Sequence, residues 1–378
     1  MRNSKSGVIL SFLGTIALVI VLSLFVTQIF GGHSEKASVP KSVSVGLDMT
    51  IYEISATNNL KLDTVKDALK IKETAKMSKT LKELGISGKD ANDMIIKKLN
   101  LNAEEASKNA ALIGIKFAIW AVLMTYAFVS LRRRKVTPTF RKYMLLTSFI
   151  LTGVILGSEP NAMSTVKDII SAYAIKGIIF PPRLVALFVL LLVVFVANKF
   201  TCGWACQIGS LQDFVFLLNR DSNNKKRNFK QYKVPFSISN TLRILFFVLF
   251  VSIAFLWSTD IIEIINPFTI YKPAVLTGVG ILFISIILLA SLIIYRPWCH
   301  FFCPFGLVGW VVEKFSLYKI KVNYETCTNC GECSKACPSV AMEAILKRHS
   351  VTPDCFSCGS CISACPTKSV EFNKGKRT

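Results

Sequence analysis

Cys327-Thr328-Asn329-Cys330-Gly331-Glu332-Cys333-Ser334-Lys335-Ala336-Cys337-Pro338 and Cys355-Phe356-Ser357-Cys358-Gly359-Ser360-Cys361-Ile362-Ser363-Ala364-Cys365-Pro366 are two copies of one spacing, C-x2-C-x2-C-x3-C-P. Three cysteines this close on a loop can seize three irons of one [4Fe–4S] cubane. The fourth, displaced by the start of a helix, reaches the neighbouring cluster. The spacing therefore predicts Cys327, Cys330, Cys333 and Cys365 on one cluster, and Cys355, Cys358, Cys361 and Cys337 on the other. Structural zinc usually takes ligand pairs from separated knuckles, unlike two full four-cysteine runs. Residues 318–378 are thus expected to form a hydrophilic α+β two-cluster domain that moves single electrons.

Toward the N-terminus the chain turns apolar. Hydrophobic residues make up 52% of the 378, too many for a soluble domain of this length. They concentrate in runs at 8–30, 110–131, 143–157, 184–200, 241–258 and 274–295. A spanning helix needs about 20 apolar residues. The pattern predicts an α-helical polytopic membrane protein with six spans, or five if the short third run does not cross. Asn198 and Lys199, at the end of the fourth run, are expected to snorkel to the interface.

Charge sets the orientation. Arg2, Lys5, Arg132, Arg133, Arg134, Lys135, Arg141, Lys142, Lys199, Arg220, Lys225, Lys226, Arg227, Lys230 and Lys233 fall on one side, whereas the opposite short loops offer Lys167, Lys176, Arg183 and Lys272. The positive-inside rule then puts both termini and every cysteine in the cytoplasm of a cell-membrane protein, where reducing conditions disfavour disulfides. Residues 1–30 read as an uncleaved anchor, because the apolar stretch exceeds a signal-peptide core. The net charge of +22 follows from topology and contact with anionic membrane lipid. No aromatic-interleaved basic fold points to nucleic acid.

Residues 31–108 form a polar segment expected outside the membrane. A shift of 30 carries Thr50, Glu53, Val65, Leu69 and Ile71 onto Thr80, Glu83, Ile95, Leu99 and Leu101. Each copy is predicted to be two short helices, with Thr50 and Thr80 as N-caps closed by Glu53 and Glu83. A docking module for an external partner and a plain spacer both fit this composition.

The four remaining cysteines sit in the core, 109–317. Cys202-Gly203-Trp204-Ala205-Cys206-Gln207-Ile208-Gly209 and Cys299-His300-Phe301-Phe302-Cys303-Pro304-Phe305-Gly306 are related by a shift of 97. Positions i and i+4 share a helix face, so each C-x3-C could aim both sulfurs one way. Cys202, Cys206, Cys299 and Cys303 would then make one four-thiolate site. A third iron–sulfur cluster, a zinc or copper ion, and a redox-active dithiol all fit four soft ligands. His300 reads as a packing or interfacial residue, since Gly203 takes its place in the other copy.

These motifs together resemble the membrane-bound polyferredoxins related to the quinol-dehydrogenase subunit of periplasmic nitrate reductase systems. The resemblance covers roughly 143–370 and rests on CGWAC at 202–206, CHFFCPFG at 299–306 and the two C-terminal runs. It implies passage of electrons between the quinone pool, or a cytoplasmic donor, and a partner oxidoreductase subunit. The family's proline after each C-x3-C is present as Pro304 but replaced by Gln207 in the first copy. Neither the flavin-binding domain of the nitrous oxide relatives nor the immunoglobulin-like extension of the oxidase assembly factors is evident.

The chain has three histidines, His33, His300 and His349. Two bis-histidine haems would need four axial nitrogens, and C-x-x-C-H is missing, so haem is not expected. Outer-sphere transfer needs no acid, base or nucleophile. Two other functions suit the same residues: a factor that reduces metal for assembly of a metalloenzyme, and a membrane redox sensor.

Overall fold

A computed structural model describes residues 5–30, 43–71, 76–106, 110–220 and 228–375. Arg2, His33, the basic stretch 225–227 and the tail 376–378 lie outside them. The chain divides into two compact units, one of Met1–Gly31, Gly114–Ser171 and Pro181–Thr378, the other of Gly32–Ile113 and Ala172–Phe180.

The smaller unit is built from the 30-residue repeat. Thr50 caps the helix Ile51–Thr57 with a complete capping box: its hydroxyl accepts from the Glu53 amide while the Glu53 carboxylate accepts from the Thr50 amide. The second copy is only half built. The Glu83 amide still donates to the Thr80 hydroxyl, but residues 81–85 form a turn that ends at the left-handed Gly85. One long helix, Gly88–Ala106, follows in place of a short one. The expected pair of short helices therefore holds for the first copy, Ile51–Thr57 and Leu62–Ala68, and not for the second. Thr50 and Thr80 still pair as an antiparallel bridge, and Ile51, Leu81, Val65 and Ile95 are all fully buried in one apolar core.

Among the described residues, three helices are long and apolar enough to cross a membrane: Lys5–Gln28, Ala111–Arg132 and Phe236–Trp257. Their outer faces are apolar, with Leu10 73%, Val122 71% and Leu256 73% exposed. Six apolar runs thus yield three helices of spanning length. Pro181–Ala197 has 17 residues, about 25 Å of helix, and is stopped by the left-handed Asn198. Gly278–Ala290 has 13 residues, about 20 Å. Both fall short of an apolar core about 30 Å thick. The run at 143–157 splits between the helix Pro138–Ser148 and a π-helical turn, Phe149–Ile155. Apolar composition measures hydrophobicity and not helical continuity, which proline and left-handed residues interrupt.

The helix Gln207–Leu218 is buried along its whole length, as expected for a central pillar. The C-terminal domain adds a two-stranded antiparallel sheet, β1 (Tyr318–Val322) and β2 (Val370–Lys374), with Ile320 opposite Phe372. An aromatic cluster seats this sheet on the helices. Phe372 stacks on Phe200, and Phe128 meets both rings edge-on. Arg134 donates to the Lys368 carbonyl at 2.6 Å and Arg132 to the Tyr318 hydroxyl at 3.2 Å. These two arginines, read from sequence as topology charges, hold the C-terminal domain in place.

Candidate iron–sulfur centre

The cysteine runs fold identically. Gly331 and Gly359, with φ of 74° and 80°, each open a short helix, Glu332–Ala336 and Ser360–Ala364, that carries the third cysteine. Only a residue tolerant of positive φ turns the chain this tightly. The two short helices lie side by side and bring the runs together. Cys333 is within electrostatic reach of Cys365 and Cys327, and burial with these neighbours pushes its thiol up to about 11. Cys361 is within reach of Cys358, Cys337, Cys355 and Cys333. The two runs thus bring their third cysteines close to each other and to the fourth cysteine of the other run. Cys337, Cys355, Cys358 and Cys361 line one recess, walled also by Ile320, Met342, Ile345 and Phe356. Four soft donors around one apolar hollow fit a cubane, which supplies reversible one-electron chemistry when bound. Cys330 is exposed and Cys327 half-buried, so the other set faces outward.

Hydroxyls attend three of the sulfurs. Ser339, Ser360 and Thr367 each lie 3.6 Å from the sulfur two residues earlier, that of Cys337, Cys358 and Cys365 respectively. Burial opposes ionisation of Cys365, yet the Thr367 hydroxyl and the Val370, Ser369 and Thr367 amides hold its thiol below the usual range. Near the cysteine runs, Lys335 pairs with Glu332 and Lys347 with Glu343, all exposed.

The C-x3-C pairs are arranged differently from the single-helix expectation. Cys202 lies in the helix Phe200–Trp204, and Cys206 is the N-cap of the next helix. Cys299 lies in Pro297–Phe301, and Cys303 is the N-cap of Pro304–Glu313. Ala205 and Phe302 break the helices between them, at φ of −136° and −126°. The four sulfurs still converge: Cys202 is in reach of Cys206 and Cys303, and Cys299 of all three others. Gly209 and Gly306 hold equivalent places. A Cβ on either would lie 3.0 Å from the Cys202 carbonyl or 2.8 Å from that of Cys299. Beside the site, Gln212 Oε1 is 4.0 Å from Cys299 Sγ, and its buried Nε2 has no protein partner. A spare buried N–H donor next to sulfur suits an anionic group there. Among the described residues, no three His, Cys, Asp or Glu side chains draw together tightly enough to hold a single metal ion.

Two buried ion triads tie these parts together. Asp213 accepts from Arg141 and Arg296, and Arg296 also donates to the carbonyls of Cys202 and Gly203. Asp354 accepts from Lys199 and from Arg243 at 3.0 Å, while Lys199 donates to the Gly306 carbonyl and Arg243 reaches that of Cys299. Burial opposes ionisation of Asp354, but Lys199 and Arg243 outweigh it and hold the carboxyl down to about 2. Lys199 and Asn198 are therefore fully buried, which corrects the expectation that they snorkel. A buried partner carboxylate is available, so the ammonium need not reach water. Sequence reading missed both triads. One signal was present, because the shift of 97 also carries Lys199 onto Arg296.

The loop of the second run rests on the first C-x3-C. Asn198 Nδ2 donates to the Cys355 carbonyl at 3.0 Å, and Trp204 Nε1 to the Ser357 carbonyl at 3.0 Å. A Cβ on Gly203 would sit 2.0 Å from the Phe356 carbonyl oxygen. The Phe356 ring meets Tyr295 and His300 edge-on and lies under Arg296. His300 is a packing residue whose Nδ1 bonds the Arg296 carbonyl. Asp260 caps the amide of Glu263 and, with it, pairs with Lys167.

Residues 319–368 match the 4Fe–4S dicluster domain family, and 179–225 and 276–323 each match the 4Fe–4S binding domain family. YccM of Escherichia coli (strain K12), named for electron transport, is 30% identical over 42% of this chain and 48% of its own length. MauN of Paracoccus denitrificans (strain Pd 1222), a methylamine utilization ferredoxin-type protein, is 27% identical over 50% of this chain and 67% of its own length. These matches support a 4Fe–4S polyferredoxin family. An uncharacterized protein of Methanocaldococcus jannaschii is 24% identical to this chain over 59% of the latter and 80% of itself. The match spans about half the length of the E. coli relative. No solved structure matches this chain significantly. Both C-x3-C motifs fall inside 4Fe–4S binding domain matches.

Proposed function

We propose that this chain is a multi-pass cell-membrane protein that passes single electrons between the quinone pool, or a cytoplasmic donor, and a partner oxidoreductase subunit. Cys327, Cys330, Cys333 and Cys365 hold one [4Fe–4S] cluster, and Cys355, Cys358, Cys361 and Cys337 the other. Cys202, Cys206, Cys299 and Cys303 hold a third redox group, of which an iron–sulfur cluster is the form favoured by the family match. Both termini face the cytoplasm, and residues 31–108 serve as the external module.

The observation carrying this reading is the seat of the Cys355–Cys358 loop on Asn198, Gly203 and Trp204. It supports a continuous path from the exposed first set, through the recessed second set, to the four sulfurs beside the apolar helices. Three helices of spanning length with apolar outer faces support the membrane setting. The residues act by fixing distance and charge, since electron transfer of this kind requires no proton or nucleophile.

In anaerobic membranes carrying the wild-type chain, a short-chain quinol is expected to develop the EPR signals of reduced clusters. The double variant Cys202→Ala/Cys299→Ala should lose the quinol response but keep reduction by dithionite. Quinol-driven signals that are absent in the wild type, or unchanged in the variant, would overturn the proposed route.

A further inference from the structure

The two cysteine sets sit in different electrostatic surroundings. The outer set includes the exposed Cys330, and the nearby Lys335–Glu332 pair is 74% and 51% exposed, so water and salt screen it. The inner set is walled by apolar side chains and by Tyr295. Burial alone makes a site harder to reduce, because each added electron increases a negative charge that has lost its solvent.

The first triad opposes that penalty. Arg141 Nη1 donates to Ser360 Oγ at 2.6 Å, and Ser360 Oγ is 3.6 Å from Cys358 Sγ. Arg141 engages one lone pair of the Ser360 oxygen, and the Cys358 thiol donates to the same oxygen; with Cys358 as a thiolate ligand, the Ser360 hydroxyl would donate its proton to the sulfur instead. Arg296 lies 4.9 Å from the centre of the Phe356 ring, one residue after Cys355. Asp213 Oδ2 accepts from both arginines and from Tyr295 Oη at 2.9 Å. Two cations and one carboxylate leave one net positive charge. All three side chains are at most 4% exposed, so this charge is little screened.

We propose that the Arg141–Asp213–Arg296 triad makes the inner site easier to reduce than the outer one, through Ser360 and Phe356, so that an electron shared between the two sets rests on the inner one, beside the C-x3-C motifs. This rests on the reading that each set holds one cluster. The transfer moves one electron between two sites of the same chain, one oxidised as the other is reduced, with no bond made or broken and no proton required. Arg141 and Arg296 are positioning residues here, acting through charge on a site they do not ligate.

The test is an EPR-monitored redox titration of the full-length protein, purified anaerobically in detergent, with dithionite as reductant. In the wild type two transitions are expected, the one at higher potential belonging to the signal lost in Cys358→Ala. Arg141→Gln should lower the inner midpoint and leave the outer one unmoved. Asp213→Asn, which deletes the negative charge, should raise the inner midpoint. Arg141→Lys should fall between wild type and Arg141→Gln. Loosened packing would not shift the potential in opposite directions for opposite charge changes. The proposal is overturned if the inner site titrates at or below the outer one in the wild type. It is equally overturned if Arg141→Gln and Asp213→Asn shift in the same direction, or move both sites alike. Should Arg141→Gln fail to accumulate, Asp213→Asn and Ser360→Ala, the latter expected to lower the inner midpoint, carry the same test. Failure of the two-cluster reading would look different, as a wild type with fewer than two signals.

Discussion

Asp354→Ala is expected to destabilise the protein by about 3–5 kcal/mol, the usual cost of removing one partner from a fully buried ion pair. Asp354 is 1% exposed and is the shared partner of Lys199 and Arg243, which are 0% and 1% exposed. Its removal strands two cations. Lys199 keeps the Gly306 carbonyl and a distant Glu313 at 3.9 Å, and Arg243 keeps the Cys299 carbonyl and Asn240. Carbonyl dipoles do not replace a full negative charge, so the cations would pull water into the seat of the Cys355–Cys358 loop. Thermal unfolding in detergent measures the loss. A triple replacement, Lys199→Met/Arg243→Met/Asp354→Leu, should be far less harmful than Asp354→Ala alone, because apolar groups of similar volume carry no stranded charge. A stability for Asp354→Ala within about 1 kcal/mol of wild type would show that the triad is not a structural hub.

Gly203→Ala is expected to separate the C-terminal domain's second loop from the C-x3-C motif. The added methyl would sit 2.0 Å from a backbone oxygen, that of Phe356. Backbone cannot rotate aside as a flexible side chain does, so the cost should reach the upper part of the 1–3 kcal/mol range for overpacking, or exceed it. The effect should also be local. The hydrogen bonds from Asn198 and Trp204 to the 355–357 loop would break, disturbing the EPR signal of the inner site while sparing that of the outer site. Gly114→Ala is the control, because no atom lies within 4 Å of its added methyl. Equal effects of Gly203→Ala on both signals, or none, would contradict the docking described here.

What could be read from sequence depended on how local the cause was. The iron–sulfur character of the eight-cysteine domain is legible because it is written in spacings of two and three residues, and residues 319–368 match a 4Fe–4S dicluster domain. The capping box at Thr50 is equally local. The membrane helices were only partly legible, because the runs at 143–157, 184–200 and 274–295 are apolar enough but are interrupted by a π-helical turn, a left-handed Asn198 and the end of the helix at Ala290. The triads were illegible for another reason. Asp354 lies in a loop far in sequence from Lys199 and Arg243, and nothing about an isolated cation before a cysteine says whether its partner is lipid or a buried carboxylate. Arg141 and Lys199 both looked like topology markers and are instead interior charges.

The central claim is that the C-terminal cysteines hold two cubanes in crossed sets. Iron and acid-labile sulfide analysis of the full-length protein, purified without oxygen and paired with EPR of the reduced sample, tests it most directly. The account predicts about eight irons and eight sulfides in the two cubanes of the C-terminal domain, with Cys330→Ala and Cys358→Ala each removing a different signal. An oxygen-protected wild-type sample with neither iron nor sulfide, or two cysteine variants that erase the same signal, would contradict it.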